Sequence, residues 1–303
     1  MRILYFSDGY GNGVMGTKKS IFEELKMRGI DVVFQNKSNI GKVSELVKTL
    51  DPDQVWLAHS SLVLPCDKSM IKKPMVGFGF SDPHYFSDTR LRSYDIYITN
   101  HYGTYLEYRD SMPVHHNPTA CNVRFHKNLA LKRDIDISCI GLGEHPWFKD
   151  KRERIVTVNR LREDLTYDIR AYGTKWPRHD KNFGHIEGDD FLSVINRSRI
   201  GLDIQDGFCP PSQRMFEYSA CGTPVITRER EDVGRLFEPE KEILTYDSYE
   251  NLRDKLSYYL ENPFFRDKLK EIGLNAQARC VKDHDIKFRV NKILGFLEGV
   301  LGG

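Results

Sequence analysis

Short apolar runs alternate with stretches of helical spacing along most of the chain. Arg2–Ser7 reads as a strand, and Ser20–Arg28 has helical spacing through Ile21 and Leu25 and is stopped by Gly29. Asp31–Gln35 is extended again, and Val43, Leu46, Val47 and Leu50 mark a helix that ends before Pro52. Val55–His59, Met75–Phe80 and Ile96–Thr99 are further strands. The alternation pauses over His115–Arg133, which is polar and irregular. It resumes with strands at Ile135–Gly141 and Ile169–Tyr172, a helix at Asp190–Ser198, a strand at Ile200–Ile204 and a helix at Ser212–Ala220. Strands at Pro224–Thr227 and Ile243–Tyr246 follow. Leu252, Leu256, Tyr259 and Leu260 then share one helix face, and Val290, Ile293, Leu294, Leu297 and Leu301 form the stripe of a last helix.

Strands that alternate with helices imply parallel βαβ units with right-handed crossovers. Two such series separated by an irregular stretch predict an α/β protein of two Rossmann-like doubly wound domains facing a cleft. Ligands of such sheets sit at the carboxyl ends of the strands, so strand-end residues are the ones to examine.

Composition narrows the class. The 303 residues carry 45 Lys+Arg against 43 Asp+Glu, a formal net charge of +2, which gives no global reason to expect a nucleic acid or an anionic membrane. No apolar run approaches the roughly 20 residues that span a bilayer. The amino terminus reads as a strand and not as a signal peptide. Cys66, Cys121, Cys139, Cys209, Cys221 and Cys280 form no C-x-x-C pair, which fits scattered thiols in a reducing cytoplasm and no disulfide scaffold or zinc site. The expected protein is cytoplasmic.

Three segments carry chemistry. Gly11, Gly13 and Gly16 satisfy G-x-G-x-x-G between the first strand and a helix, where glycines let backbone N–H groups approach a phosphate. A dinucleotide enzyme would close its second strand with an acid; here it closes Phe34-Gln35-Asn36, so Gly11 and Gly13 are read as contacting some phosphate or sugar, or as a tight turn. In Phe208–Ile226 two prolines hold the chain extended before Ser212, a plausible helix cap, and the opening turn offers N–H groups and the Arg214 guanidinium to an anion. Glu217 follows Arg214 by three residues on nearly the same face, suited to a ribose diol; the alternative is a surface ion pair. In Gly77–Tyr85, Asp82 and His84 stand at a strand end, Asp82 as a candidate general base towards a hydroxyl and His84 as a candidate hydrogen-bond partner in a cleft. Asp82 capping a turn with Pro83 is the other reading. His59 and Ser60 are weaker candidates of the same kind. The remaining histidines show no metal-ligand spacing, so no metal site is expected.

Arg214-x-x-Glu217-Tyr218-Ser219-Ala220-Cys221-Gly222-Thr223-Pro224-Val225-Ile226 resembles the donor-binding helix of glycosyltransferases with the B-type fold. It is similar to glycosyltransferase family 4 and closer to the spore-maturation (CgeB-like) glycosyltransferases. Leu236–Ile243, Tyr258–Pro263 and Gly273 resemble the segments that follow in that family, and Asp53–Ser60 and Asn117 match more weakly. The resemblance implies an acceptor-side domain over residues 1–130, a donor domain over 131–285, and a carboxyl-terminal helix over 286–303 that packs back on the first. It also implies a nucleoside-diphosphate sugar donor, a UDP-sugar in first place, with no cofactor. Glu217 would take the ribose, Arg214 and Ser212 the phosphates. Tyr172, Gly173 and Trp176 would lie near the base, and Gly143 with Arg152 and Arg154 would face the diphosphate. Family 4 carries a second Glu eight positions before the ribose Glu; here that position is Cys209, which cannot accept sugar hydroxyls as Glu does. The CgeB-like group commonly lacks that Glu. The expected activity is therefore metal-independent glycosyl transfer by a hexosyl- or pentosyltransferase, with family 4 pointing to retention. A non-catalytic nucleotide-sugar binder and a nucleotide-sugar epimerase are the rivals. The acceptor is left open among glycan, protein, small molecule and modified DNA.

Overall fold

The computed structural model describes residues 1–8, 16–59, 62–80, 82, 87–146, 148–206, 209–262 and 264–302. It divides into two compact units.

The first unit opens with β1 (Arg2–Ser7), α1 (Thr17–Met27), β2 (Asp31–Asn36), α2 (Val43–Leu50) and β3 (Gln54–Leu57). It continues through β4 (Met75–Gly79), α3 (Asp88–Leu91), β5 (Ile96–Thr99), α4 (Tyr102–Tyr108) and β6 (Val114–His116). The six strands form one parallel sheet in the order β2-β1-β3-β4-β5-β6. Ile3, Leu4, Tyr5 and Phe6 are all closed to solvent, as a central strand covered on both faces requires. The order reverses between β1 and β3, so the carboxyl ends of those strands mark this unit's switch point.

The second unit spans Ala120–Asp285. It contains β7 (Ile135–Ile140), α5 (Glu153–Asp164), β8 (Ile169–Tyr172), α6 (Gly188–Arg197), β9 (Ser198–Asp203) and α7 (Gln213–Ala220). β10 (Val225–Arg228), α8 (Glu231–Gly234), β11 (Leu244–Tyr246), α9 (Tyr249–Glu261) and α10 (Phe265–Arg279) complete it. Its parallel sheet runs β11-β10-β9-β7-β8, with the switch point between β7 and β9. The strands and helices of this unit feed two cores. Ile135 and Ile140 pack with Phe191, Met215 and Phe216 from α6 and α7. Ile137 and Cys139 pack with Val158, Leu161, Leu252 and Leu256 from α5 and α9. Each fully buried aliphatic or aromatic side chain contributes roughly 1.5–3 kcal/mol.

After a π-helical turn at Cys280–His284, α11 (Ile286–Leu301) belongs to the first unit and packs on α1. Arg28 at the end of α1 donates to the Lys287 carbonyl (3.1 Å) and meets Asn291, and Arg289 donates to the Pro118 carbonyl (3.0 Å).

Both α/β units have the parallel architecture that the periodicity predicts. β6 and α4 lie where the pattern gave no element: β6 is three residues with two histidines, and α4 (Tyr-Gly-Thr-Tyr-Leu-Glu-Tyr) has no apolar stripe. All six cysteines are free thiols. Among the described residues no helix is long and apolar enough to cross a membrane.

Candidate functional site

In the second unit the segment between β9 and α7 is fixed from below. Ser212, extended at φ −70° and ψ 153°, caps α7: its hydroxyl accepts from the Met215 N–H (3.2 Å) and donates to Asp203 (2.8 Å), the last residue of β9. The Thr227 hydroxyl donates to the other oxygen of Asp203 (3.2 Å). Burial lifts the Asp203 carboxyl above the usual range, with these hydroxyls opposing it. The Ser212 side chain is thus spent on the turn, so only its backbone is open to the phosphate role expected of it. Tyr218 lies flat on β9 over Gly201, where a Cβ would come within 2.6 Å of the ring, and its hydroxyl donates to the Ser138 carbonyl (3.1 Å).

Arg214 and Glu217 do project together from α7. The Glu217 carboxylate is 0% exposed and is paired by Arg214 through Oε2, while Oε1 accepts from Gln213 Nε2 (2.8 Å). Arg214 covers it, 28% exposed, with its guanidinium 4.6 Å from the Phe191 ring centre. Arg214 therefore stands between the Glu217 carboxylate and solvent. On the far side of the carboxylate stands His126, buried, with Nε2 3.6 Å from Glu217 Oε1.

The loops after β7 and β8 are knit together. Gly141 N–H donates to the Tyr172 carbonyl (2.8 Å), Gly143 N–H to Thr174 (2.9 Å), and the Trp176 indole to the Gly141 carbonyl (2.9 Å). Gly173, at φ 123°, has no room for a Cβ against the Gly141 carbonyl. Tyr172 is buried and stacks on Phe183 with ring centres 5.1 Å apart. Arg154 is buried and ties the switch point together, donating to the carbonyls of Ile204 (3.0 Å) and Leu142 (3.1 Å). Arg152 is exposed, 3.7 Å from Glu144. Of the two arginines expected at the diphosphate, Arg152 presents its charge to solvent, and Arg154 uses two of its donors on the backbone. Cys209 is buried, and burial pushes its thiol up to about 11, so it stands as a neutral thiol.

In the first unit the structure corrects the reading of Asp82. Its carboxylate is 0% exposed and accepts from Tyr97 (2.8 and 2.9 Å) and Thr99 (2.7 Å), with Arg90 Nη1 at 3.5 Å. A carboxylate so enclosed meets no acceptor hydroxyl; it is a polar pin in the core, and the physical reason is that the folded strand end turns it inward. Gly11, Gly13, Ser60 and His84 lie outside the described residues. His59 instead belongs to a strand-end cluster: its Nε2 is 2.9 Å from Asp8, which also pairs with Lys18 (3.1 Å), with Lys37 at 3.8 Å. Burial raises the Asp8 carboxyl, but His59 and Lys18 outweigh it and hold the net pKa well below the ordinary range. Among the described residues no group of three His, Cys, Asp or Glu is placed to hold a metal ion.

A family model described as glycosyl transferase-like matches residues 131–295, more than half of the chain and nearly all of the second unit. The chain belongs to this glycosyltransferase family. No curated protein matches in sequence. Solved structures agree on the fold. Sucrose-phosphate synthase from Thermosynechococcus elongatus is 12% identical, covers 99% of both chains and has a TM-score of 0.74. Anabaena HepE in complex with UDP-glucose is 14% identical over 99% of this chain and 100% of that one, at 0.70. A glycosyltransferase from Rickettsia africae is 12% identical over 99% and 98%, at 0.67. Two parallel-sheet α/β domains of the glycosyltransferase B type are thus the fold of this family member. Sequence reasoning missed Asp8, Lys18 and His126. An acid directly after β1 was a legible signal for Asp8; His126 carried none, because it meets Glu217 across 91 residues of chain.

Proposed function

We propose that the protein moves a sugar from a nucleoside-diphosphate sugar, a UDP-sugar first, to a hydroxyl acceptor without a metal ion, in the manner of the CgeB-like group and family 4. The observation that carries this reading is the Arg214–Glu217 pair on the capped helix that follows the switch-point strand β9, inside the segment matched by the family. Support comes from a structural neighbour solved with UDP-glucose. In the reaction the bond from the anomeric carbon to the diphosphate oxygen breaks with its electrons going to the diphosphate. A new bond forms from that carbon to the acceptor oxygen, which loses its proton. Arg214, Arg152 and the positive end of the α7 dipole are the groups that would take the growing diphosphate charge. With Asp82 enclosed, we assign the acceptor proton to the leaving diphosphate, which puts departure and attack on one face and retains the anomeric configuration. The six free thiols fit a cytoplasmic enzyme.

A non-catalytic nucleotide-sugar binder is the second reading, favoured by the neutral, buried thiol of Cys209 where family 4 has an acid. A thermal-shift screen against UDP-, GDP-, CMP- and dTDP-sugars with and without EDTA tests both. A ligand at 100 times its Kd stabilises by about 2.7 kcal/mol. An EDTA-insensitive shift with UDP-sugars is expected, followed by slow release of free sugar. Stabilisation without any hydrolysis or transfer selects the binder, and no shift with any donor refutes both.

A further inference from the structure

His126 is held as few surface-capable histidines are. Its backbone N–H donates to the Asn122 carbonyl (2.7 Å) and its Nδ1 accepts from the Asn122 N–H (3.1 Å), a closed pair that sets the ring orientation. Phe125 and Phe191 stand edge-on to the ring at 5.1 and 6.3 Å. Because Nδ1 must accept, the ring proton of the neutral imidazole sits on Nε2. That Nε2 is buried and has no hydrogen-bond partner, although it faces Glu217 Oε1 at 3.6 Å. A buried donor left unpaired is costly, and 3.6 Å is too long for a hydrogen bond.

The partners of Glu217 divide by oxygen. Gln213 and His126 both address Oε1, whereas Arg214 addresses Oε2. Arg214 is half-buried and is the charged partner, the one a diphosphate would draw away. Its departure frees Oε2 for a sugar hydroxyl and leaves a buried carboxylate short of one partner. A small shift of the carboxylate towards His126 then closes the gap to Nε2–H and satisfies both groups.

We infer that His126 is a positioning residue of the donor site, whose Nε2–H holds Oε1 of Glu217 while Oε2, vacated by Arg214, accepts a ribose hydroxyl. The inference rests on the donor-site reading above. It makes the unliganded site self-occluded: the phosphate-binding arginine occupies the ribose-binding carboxylate until the donor separates them.

Titration calorimetry of the whole protein with UDP and with 2′-deoxy-UDP tests it, on wild type, His126→Leu and His126→Gln. Wild type is expected to prefer UDP by about tenfold, the effect of a hydrogen bond to a charged group. His126→Leu shrinks that preference to about twofold while changing the affinity for 2′-deoxy-UDP little. His126→Gln, which keeps an N–H donor directed at Oε1, retains most of the preference. A Leu variant that keeps the full preference, or that weakens both ligands equally, overturns the role of His126. Wild type that binds both ligands equally overturns the donor-site reading itself, and the inference with it. Should the Leu variant not fold, 15N NMR of the histidine rings in wild type decides: an Nε2–H tautomer at His126 that responds to UDP is expected, and an Nδ1–H tautomer or no response to UDP refutes the proposal.

Discussion

Asp82 and Glu217 are both fully buried carboxylates beside an arginine, and the arginines set them apart. Arg90 is 3% exposed, so the charge that Asp82 answers has no route to water. Asp82→Asn leaves that charge uncompensated, and a loss of about 3–5 kcal/mol in denaturant unfolding is expected, with donor affinity unchanged in the folded fraction. Arg214 reaches solvent, so Glu217→Gln is expected to cost far less in melting temperature and to weaken UDP-sugar binding by tenfold or more in calorimetry. Equal effects of the two substitutions on stability, or an unchanged donor affinity, would remove Glu217 from the site. His115 and His116 give a pH prediction. Burial lowers both imidazoles to about 4 from 6.5, so the unfolded chain binds their protons first. Stability is complete above pH 6.5 and is lost as pH falls towards 4. The melting temperature should drop between pH 7 and 5, and His115→Phe, which keeps a ring against Phe296 at about the same place, should flatten that drop.

At the scale of elements, α7 is the piece most legible in sequence. Two prolines, a serine cap and an apolar inner face announce both its start and its buried side, and the structure begins it at Gln213 after the Ser212 cap. Ser212→Ala removes the cap and one donor to Asp203, for an expected loss of about 1–2 kcal/mol by thermal unfolding. Gly201→Ala drives a methyl into the Tyr218 ring and should cost about 1–3 kcal/mol; a neutral result would mean the ring can lift off β9. β6 was not legible, because Val114-His115-His116 owes its extended form to pairing with β5 and not to its own pattern. The meeting of the loops after β7 and β8 was not legible, since Gly141 and Trp176 are brought together by tertiary contact.

For the whole molecule, the last helix belongs with the first unit, against α1. Ile286, Val290, Ile293 and Leu297 are buried, at roughly 1.5–3 kcal/mol each. Their sum is comparable to the roughly 5–15 kcal/mol that holds a domain folded. A chain cut after Asp285 should therefore expose the first unit to limited proteolysis while a fragment near 120–285 survives; equal resistance of both would show that α11 is dispensable.

The sequence by itself determined the class of fold, the place of most strands and helices, and the shared face of Arg214 and Glu217, because those depend on periodicity and on spacing within one helix. Only the tertiary structure decided which polar groups face inward. Asp82 was offered as a cleft base and is locked under Tyr97, Thr99 and Arg90; His126, read only as a histidine without metal-ligand spacing, stands against the buried carboxylate of Glu217. Local spacing reports which face of an element a residue occupies. Whether that face meets water or another element is settled by contacts across many residues of chain, which no local pattern encodes.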